Sequence, residues 1–82
     1  MTEHSTELTY SLRQLLSQGK HPTVEIIWLN RENIRVRTVG YLREEHQYTI
    51  MLLQSQGISR EYYMMHTEFI PKQSIESIKE LT

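Results

Sequence analysis

Apolar positions along the chain fall into two different periods, and the change of period divides it. Leu8, Leu12, Leu15 and Leu16 recur at helical spacing, which puts them on one stripe of an amphipathic helix. Ser5 or Thr6 offers an N-cap, and Glu7 suits the positive end of the helix dipole. Gly19 fits the left-handed position just past a helix end, and Pro22 blocks any resumption. The spacing predicts a helix over about residues 6–18.

From Thr23 the period becomes two. In Thr23–Asn30, Val24, Ile26 and Trp28 alternate with Glu25, Ile27 and Leu29, so both faces become apolar toward the end of a first strand. Asn30–Asn33 is a polar turn. A second strand follows over Ile34–Leu42, interrupted by Gly40, which inside a strand signals a bend or a close backbone approach. Arg43-Glu44-Glu45 is expected to be a charged turn, His46–Gln54 a third strand, and Ser55–Ser59 a loop. A fourth strand is expected near Arg60–His66, with Lys72–Ser74 a tight turn before a short fifth strand at 75–79. Ile75, Ile78 and Leu81 also fit a short helix. The sum is one domain over residues 1–82, mainly β. An N-terminal α-helix precedes a five-stranded, strongly bent antiparallel small barrel over about residues 23–79, of the SH3-like or Sm-like kind.

Composition narrows the function. Nine Lys and Arg face ten acidic residues, all of them Glu, for a formal charge of −1. This balance argues against a protein that coats nucleic acid but leaves room for a local basic face. The stretch from Arg13 to Arg43 has a net charge of +4, with six cations against Glu25 and Glu32. Arg35 and Arg37 stand at i and i+2 of one strand and share a face, an arrangement that suits phosphates or glutamates of a neighbouring strand. Cysteine is absent, so disulfides and thiolate metal sites are excluded. The longest aliphatic run, Ile50–Leu53, is far below the ~20 residues of a membrane-spanning helix. With no secretory signal pattern at the N-terminus, a cytoplasmic location is expected.

Catalytic chemistry finds no constellation. His4, His21, His46 and His66 are scattered with no zinc-binding pair, and Gly19, Gly40 and Gly57 stand alone, without a phosphate-binding loop. No nucleophile elbow occurs, so neither catalysis, nor a metal, nor a cofactor is expected. Tyr48, Tyr41, Trp28 and Tyr62–Met65 supply aromatic and thioether surface, suited either to base stacking or to core and subunit contacts.

Three segments point to a family. Val39–Tyr48 resembles the passage from second to third strand in the bacterial Sm-like RNA chaperones, the Hfq family, where a glycine-containing bent strand leads to an acid-Gln-aromatic step. Gln47 and Tyr48 match the Gln and the aromatic, and His46 stands at the acid. Ile70–Ile78 resembles the family's Tyr-Lys-His turn, with Lys72 at the lysine, Pro71 at the tyrosine and Gln73 at the histidine. His21–Asn30 resembles the first strand, which ends in Asn. The resemblance spans roughly residues 8–79 and implies a homo-oligomeric ring of six or seven subunits that binds single-stranded RNA. It further implies that Gln47, Tyr48, Lys72 and Gln73 line an RNA site near the pore, with Arg35 and Arg37 on another basic surface. Pro71 and Gln73 depart from the family's turn and bear on its uridine pocket. The competing expectation is a small-barrel protein-interaction or structural module without RNA, favoured by the near-zero charge and the Glu-rich C-terminal segment.

Overall fold

The computed structural model describes residues 8–57 and 63–81. Helix α1 spans Tyr10–Ser17. It starts later than the leucine stripe predicts because Thr9 is the cap: its Oγ1 accepts a hydrogen bond from the Leu12 amide at 3.3 Å. The earlier candidates, Ser5 and Thr6, lie outside the described residues. At the other end Gly19 adopts φ 76°, the Gly19 amide donates to the Leu16 carbonyl, and the Lys20 amide donates to that of Leu15. This is the Schellman closure, and it needs a residue that tolerates positive φ.

Five strands follow: β1 (Thr23–Leu29), β2 (Arg35–Glu45), β3 (Thr49–Gly57), β4 (Tyr63–Pro71) and β5 (Ile75–Glu80). They form one antiparallel sheet in the order β4-β3-β2-β1-β5. The two edge strands are thus consecutive in sequence, joined by a 3-10 turn at Lys72–Ser74. The fifth element is a strand and not a short helix, because its residues pair with β1.

Alternation decides which side chains enter the core. Val24 and Ile26 of β1, Leu42 of β2, Ile50 and Leu52 of β3 and Ile70 of β4 are fully buried. Ile75, Leu8 and Leu12 join them, with Leu15, Leu16, Trp28 and Ile78 half-buried against the cluster. The Trp28 indole donates to Thr38 Oγ1 at 2.9 Å, so the polar atom that this large ring brings inward is satisfied. Gly40 faces Val24 across the β1–β2 ladder, and a Cβ there would stand 3.0 Å from both the Leu53 carbonyl oxygen and Gln54 Cγ. Of the two meanings of this glycine, close backbone approach is therefore observed.

Three expected boundaries are corrected. Arg43-Glu44-Glu45 is not a turn but the end of β2, and the turn is His46–Tyr48. A bulge explains the misreading: the β2–β3 register slips between Leu42 and Glu44, so Glu44 pairs with Met51 and Glu45 with the buried Ile50. The extra residue breaks the period of two and turns Glu45 toward the inner face. The second correction is to β4, which runs to Pro71 because Thr67–Pro71 continues the ladder opposite Thr49–Leu53. Ser55–Gly57 extends β3 rather than opening the loop. The rest of that expected loop, Ile58 and Ser59, and the first three residues of the expected fourth strand, Arg60–Tyr62, lie outside the described residues. Among the described residues no helix is long and apolar enough to cross a membrane.

Leu12→Ala is expected to destabilise the fold by ~2–5 kcal/mol, the usual cost of emptying a buried leucine site, as read from urea unfolding. Gly40→Ala should cost ~1–3 kcal/mol by overpacking against the Leu53 backbone. A change near zero at Gly40 would mean that β3 can retreat.

Candidate nucleic-acid interface

Two turns far apart in sequence meet at one end of the sheet. β3 pairs Thr49 with Pro71 at the end of β4, which brings the His46–Tyr48 turn beside Lys72–Ser74. The Lys72 amide donates to the Tyr48 carbonyl at 2.9 Å, and the His46 amide donates to the Thr49 carbonyl at 2.8 Å. Gln47, Tyr48, Lys72 and Gln73 are thus brought together. Tyr48 is 70% exposed, and its hydroxyl accepts a hydrogen bond from Gln47 Nε2 at 3.1 Å. Gln47 and Gln73 are also exposed, the Gln47 amide against the Tyr48 hydroxyl and Gln73 in the adjoining turn. Such an arrangement can stack on a base and hydrogen-bond to its edge.

Lys72 points elsewhere. Its side chain is 8% exposed, and its Nζ lies 2.8 Å from Glu45 Oε2. Arg13 of α1 grips the same carboxylate with both teeth of its fork, Nε to Oε1 at 2.9 Å and Nη2 to Oε2 at 2.8 Å. One carboxylate therefore ties α1, the end of β2 and the β4–β5 turn together. The hydrogen bond from Arg13, ahead of that from Lys72, holds the Glu45 carboxyl below its ordinary pKa against the opposing effect of burial.

Arg35 and Arg37 lie toward the opposite end of the long strand β2 from Glu45 and are exposed. Arg35 pairs with Glu76 of β5 at 2.8 Å, and Arg37 pairs with Glu25 of β1. The same-face arrangement holds, and neighbouring strands supply its anions. The structure brings the two arginines to the same exposed face, Arg35 against Glu76 just past the Lys72–Ser74 turn and Arg37 against Glu25.

Three participants escaped the sequence reading. Arg13 and Glu45 could not be matched across 32 positions without the bulge that turns Glu45 inward. Phe69 is 54% exposed, and its ring centroid lies 6.4 Å from that of His46, beside the same turn. Its signal was the alternation with buried Ile70, visible only once β4 is known to extend that far. A cleft of about 460 Å³ lies between Phe69 and Pro71 on one side and Trp28, Leu29 and Arg31 on the other. An open cleft of about 560 Å³ separates Leu16 and Ser17 of α1 from Arg43, Glu44 and His46. Among the described residues no cluster of His and Glu could hold a metal ion. Comparison with protein-family models, curated proteins and solved structures finds no match.

The lowered pKa of Glu45 sets the sign of a pH effect. A carboxylate favoured in the folded state contributes stability above its unfolded pKa and loses it as pH falls through the folded value. Wild-type stability should therefore drop through the acidic carboxylate range more steeply than that of Glu45→Gln, measured by urea unfolding at a series of pH values. Parallel curves would show that the pair contributes nothing to acid lability.

Proposed function

We propose that this chain is a self-associating Sm-like small barrel that binds single-stranded RNA without catalysing a reaction, through the face where Gln47, Tyr48 and Gln73 meet. The observation that carries this reading is the junction of the two turns through the Lys72 amide and the Tyr48 carbonyl. Tyr48 is exposed beside Gln47 and next to the turn that carries Gln73, positions that resemble the Hfq family's RNA site, and this supports the reading.

The barrel itself is supported by the link between the edge strands. A flat five-stranded sheet separates its outer strands by ~19 Å, at ~4.8 Å per spacing. The link from Pro71 to Ile75 can reach at most ~14 Å at ~3.6 Å per residue. Rolling the sheet resolves the mismatch. The cleft that Phe69 and Pro71 of β4 share with Trp28 and Leu29 of β1 supports the same roll, since two strands lie between them in sheet order. A roll that stops short of closure leaves β4 and β5 as open edges. Antiparallel pairing of one copy's β4 with the next copy's β5 would satisfy both edges in a closed ring. The resemblance implies six or seven subunits.

A second reading, a protein-interaction module, is favoured by one observation. Lys72, Arg35 and Arg37 each already meet a glutamate, which leaves the proposed faces with little net charge.

Tyr48→Ala should weaken binding of a single-stranded oligoribonucleotide by ~1–3 kcal/mol per stacked base and leave its salt dependence unchanged. A titration followed by fluorescence anisotropy at two salt concentrations measures both. A folded oligomer that binds no RNA at low salt would remove the RNA reading in favour of the interaction module. A stable monomer by light scattering at micromolar concentration would remove the ring.

A further inference from the structure

Arg13, Glu45 and Lys72 have the geometry of an occupied anion site. A guanidinium fork and an ammonium converge on one carboxylate at 2.8–2.9 Å, the way proteins hold a phosphate group. Here the anion belongs to the chain itself. The β2 bulge delivers it by turning Glu45 inward opposite Ile50. The cations come from two other elements: Arg13 from α1, and Lys72 from the turn whose backbone touches Tyr48. Glu45 is 17% and Lys72 8% exposed, so the contact is shielded from solvent and poorly screened by salt.

We propose that Glu45 is an internal phosphate mimic that withholds Lys72 and Arg13 from the nucleic-acid backbone. The proposal rests on the RNA-binding reading above and sharpens its ligand. The face then recognises exposed bases through Tyr48, Gln47 and Gln73, and the phosphate linking them finds no free lysine there. Binding is selective for unpaired strands whose bases are splayed out, because a duplex offers this site phosphates but no base faces. Glu45 acts through Lys72 and Arg13, so it is a specificity-determining residue that does not itself touch RNA.

The test measures binding of one single-stranded oligoribonucleotide and the duplex of the same sequence, across a series of salt concentrations. Glu45→Gln should bind both more tightly at low salt, with a slope of log affinity against log salt steeper by ~0.7 to ~1.4 for the single strand, one increment per unmasked cation. Its preference for the single strand should shrink. Glu44→Gln removes the same charge one residue away, where the carboxylate is half exposed and faces His46, and should leave the slope unchanged. Adding Lys72→Gln to Glu45→Gln should return at least half of the added slope. Glu45→Asp keeps the charge and draws the carboxylate back by one methylene, so it should shift the slope in the same direction by less, and it remains testable if the amide variant does not fold. Wild-type binding with an unchanged slope in folded Glu45→Gln overturns the masking and leaves the RNA reading intact. Equal gains from Glu44→Gln and Glu45→Gln also overturn it, reducing the effect to net charge. No binding by wild type or any variant removes both.

Discussion

An 82-residue chain has material for only one thin apolar layer, and here it comes from alternate residues of five strands with Leu8 and Leu12 laid across them. Every other feature is subject to that layer. A register slip of one residue would exchange Val24, Ile26, Ile50 and Leu52 for their outward neighbours, so the ladders are strongly specified. Gly40 is there because β3 comes too close for a side chain, and Thr38 is buried because the Trp28 indole needs an acceptor. The Schellman closure at Gly19 ends α1 where the chain must turn into β1.

The single bulge in β2 converts this packing constraint into the electrostatics of the candidate site. Without it Glu45 would point outward with Arg43. With it, Glu45 lies over the inner face and meets two cations that the fold supplies from elsewhere. Burying a lysine beside a carboxylate is costly unless the geometry is good, and a fork from Arg13 on the same carboxylate improves it. The same three residues pin α1 to the sheet and set the charge beside Tyr48, so on the proposed reading stability and recognition are coupled at Glu45.

The fold was legible wherever a period was unbroken. The leucine stripe located α1, and alternation located β1 and the start of β2, because one buried face requires it. Legibility failed at the bulge, where the extra residue made Arg43-Glu44-Glu45 look like a turn. It failed again in β4, where Thr67-Glu68 interrupts the apolar positions of an edge strand that needs only one covered face. At the candidate site, the nearness of Gln47 and Tyr48 to Lys72 and Gln73 came from the resemblance. The direction in which Lys72 points did not, since it depends on Glu45 and thus on the bulge. Arg35 and Arg37 were placed on one face correctly, but their carboxylate partners come from β5 and β1, and pairing across strands cannot be read from one strand's pattern.

On the proposed reading, the absence of a strong charge constrains how this protein could hold RNA. A chain of net charge −1 has no long-range attraction for a polyanion, and the cations nearest the Tyr48 face are already engaged. Lys20, Arg31, Arg43 and Lys79 have no carboxylate partner among the described residues, but they are dispersed over four different elements and turns. A single copy would therefore offer one stacked base and a few amide hydrogen bonds, too little to offset the ordering of a flexible strand. Repeating the same face around a closed ring changes this balance: once the first base is stacked, the next face is available at high effective concentration, and weak contacts multiply. The ring and the weakly charged face are then two parts of one physical solution, in which affinity grows with the number of bases engaged rather than with the number of phosphates neutralised.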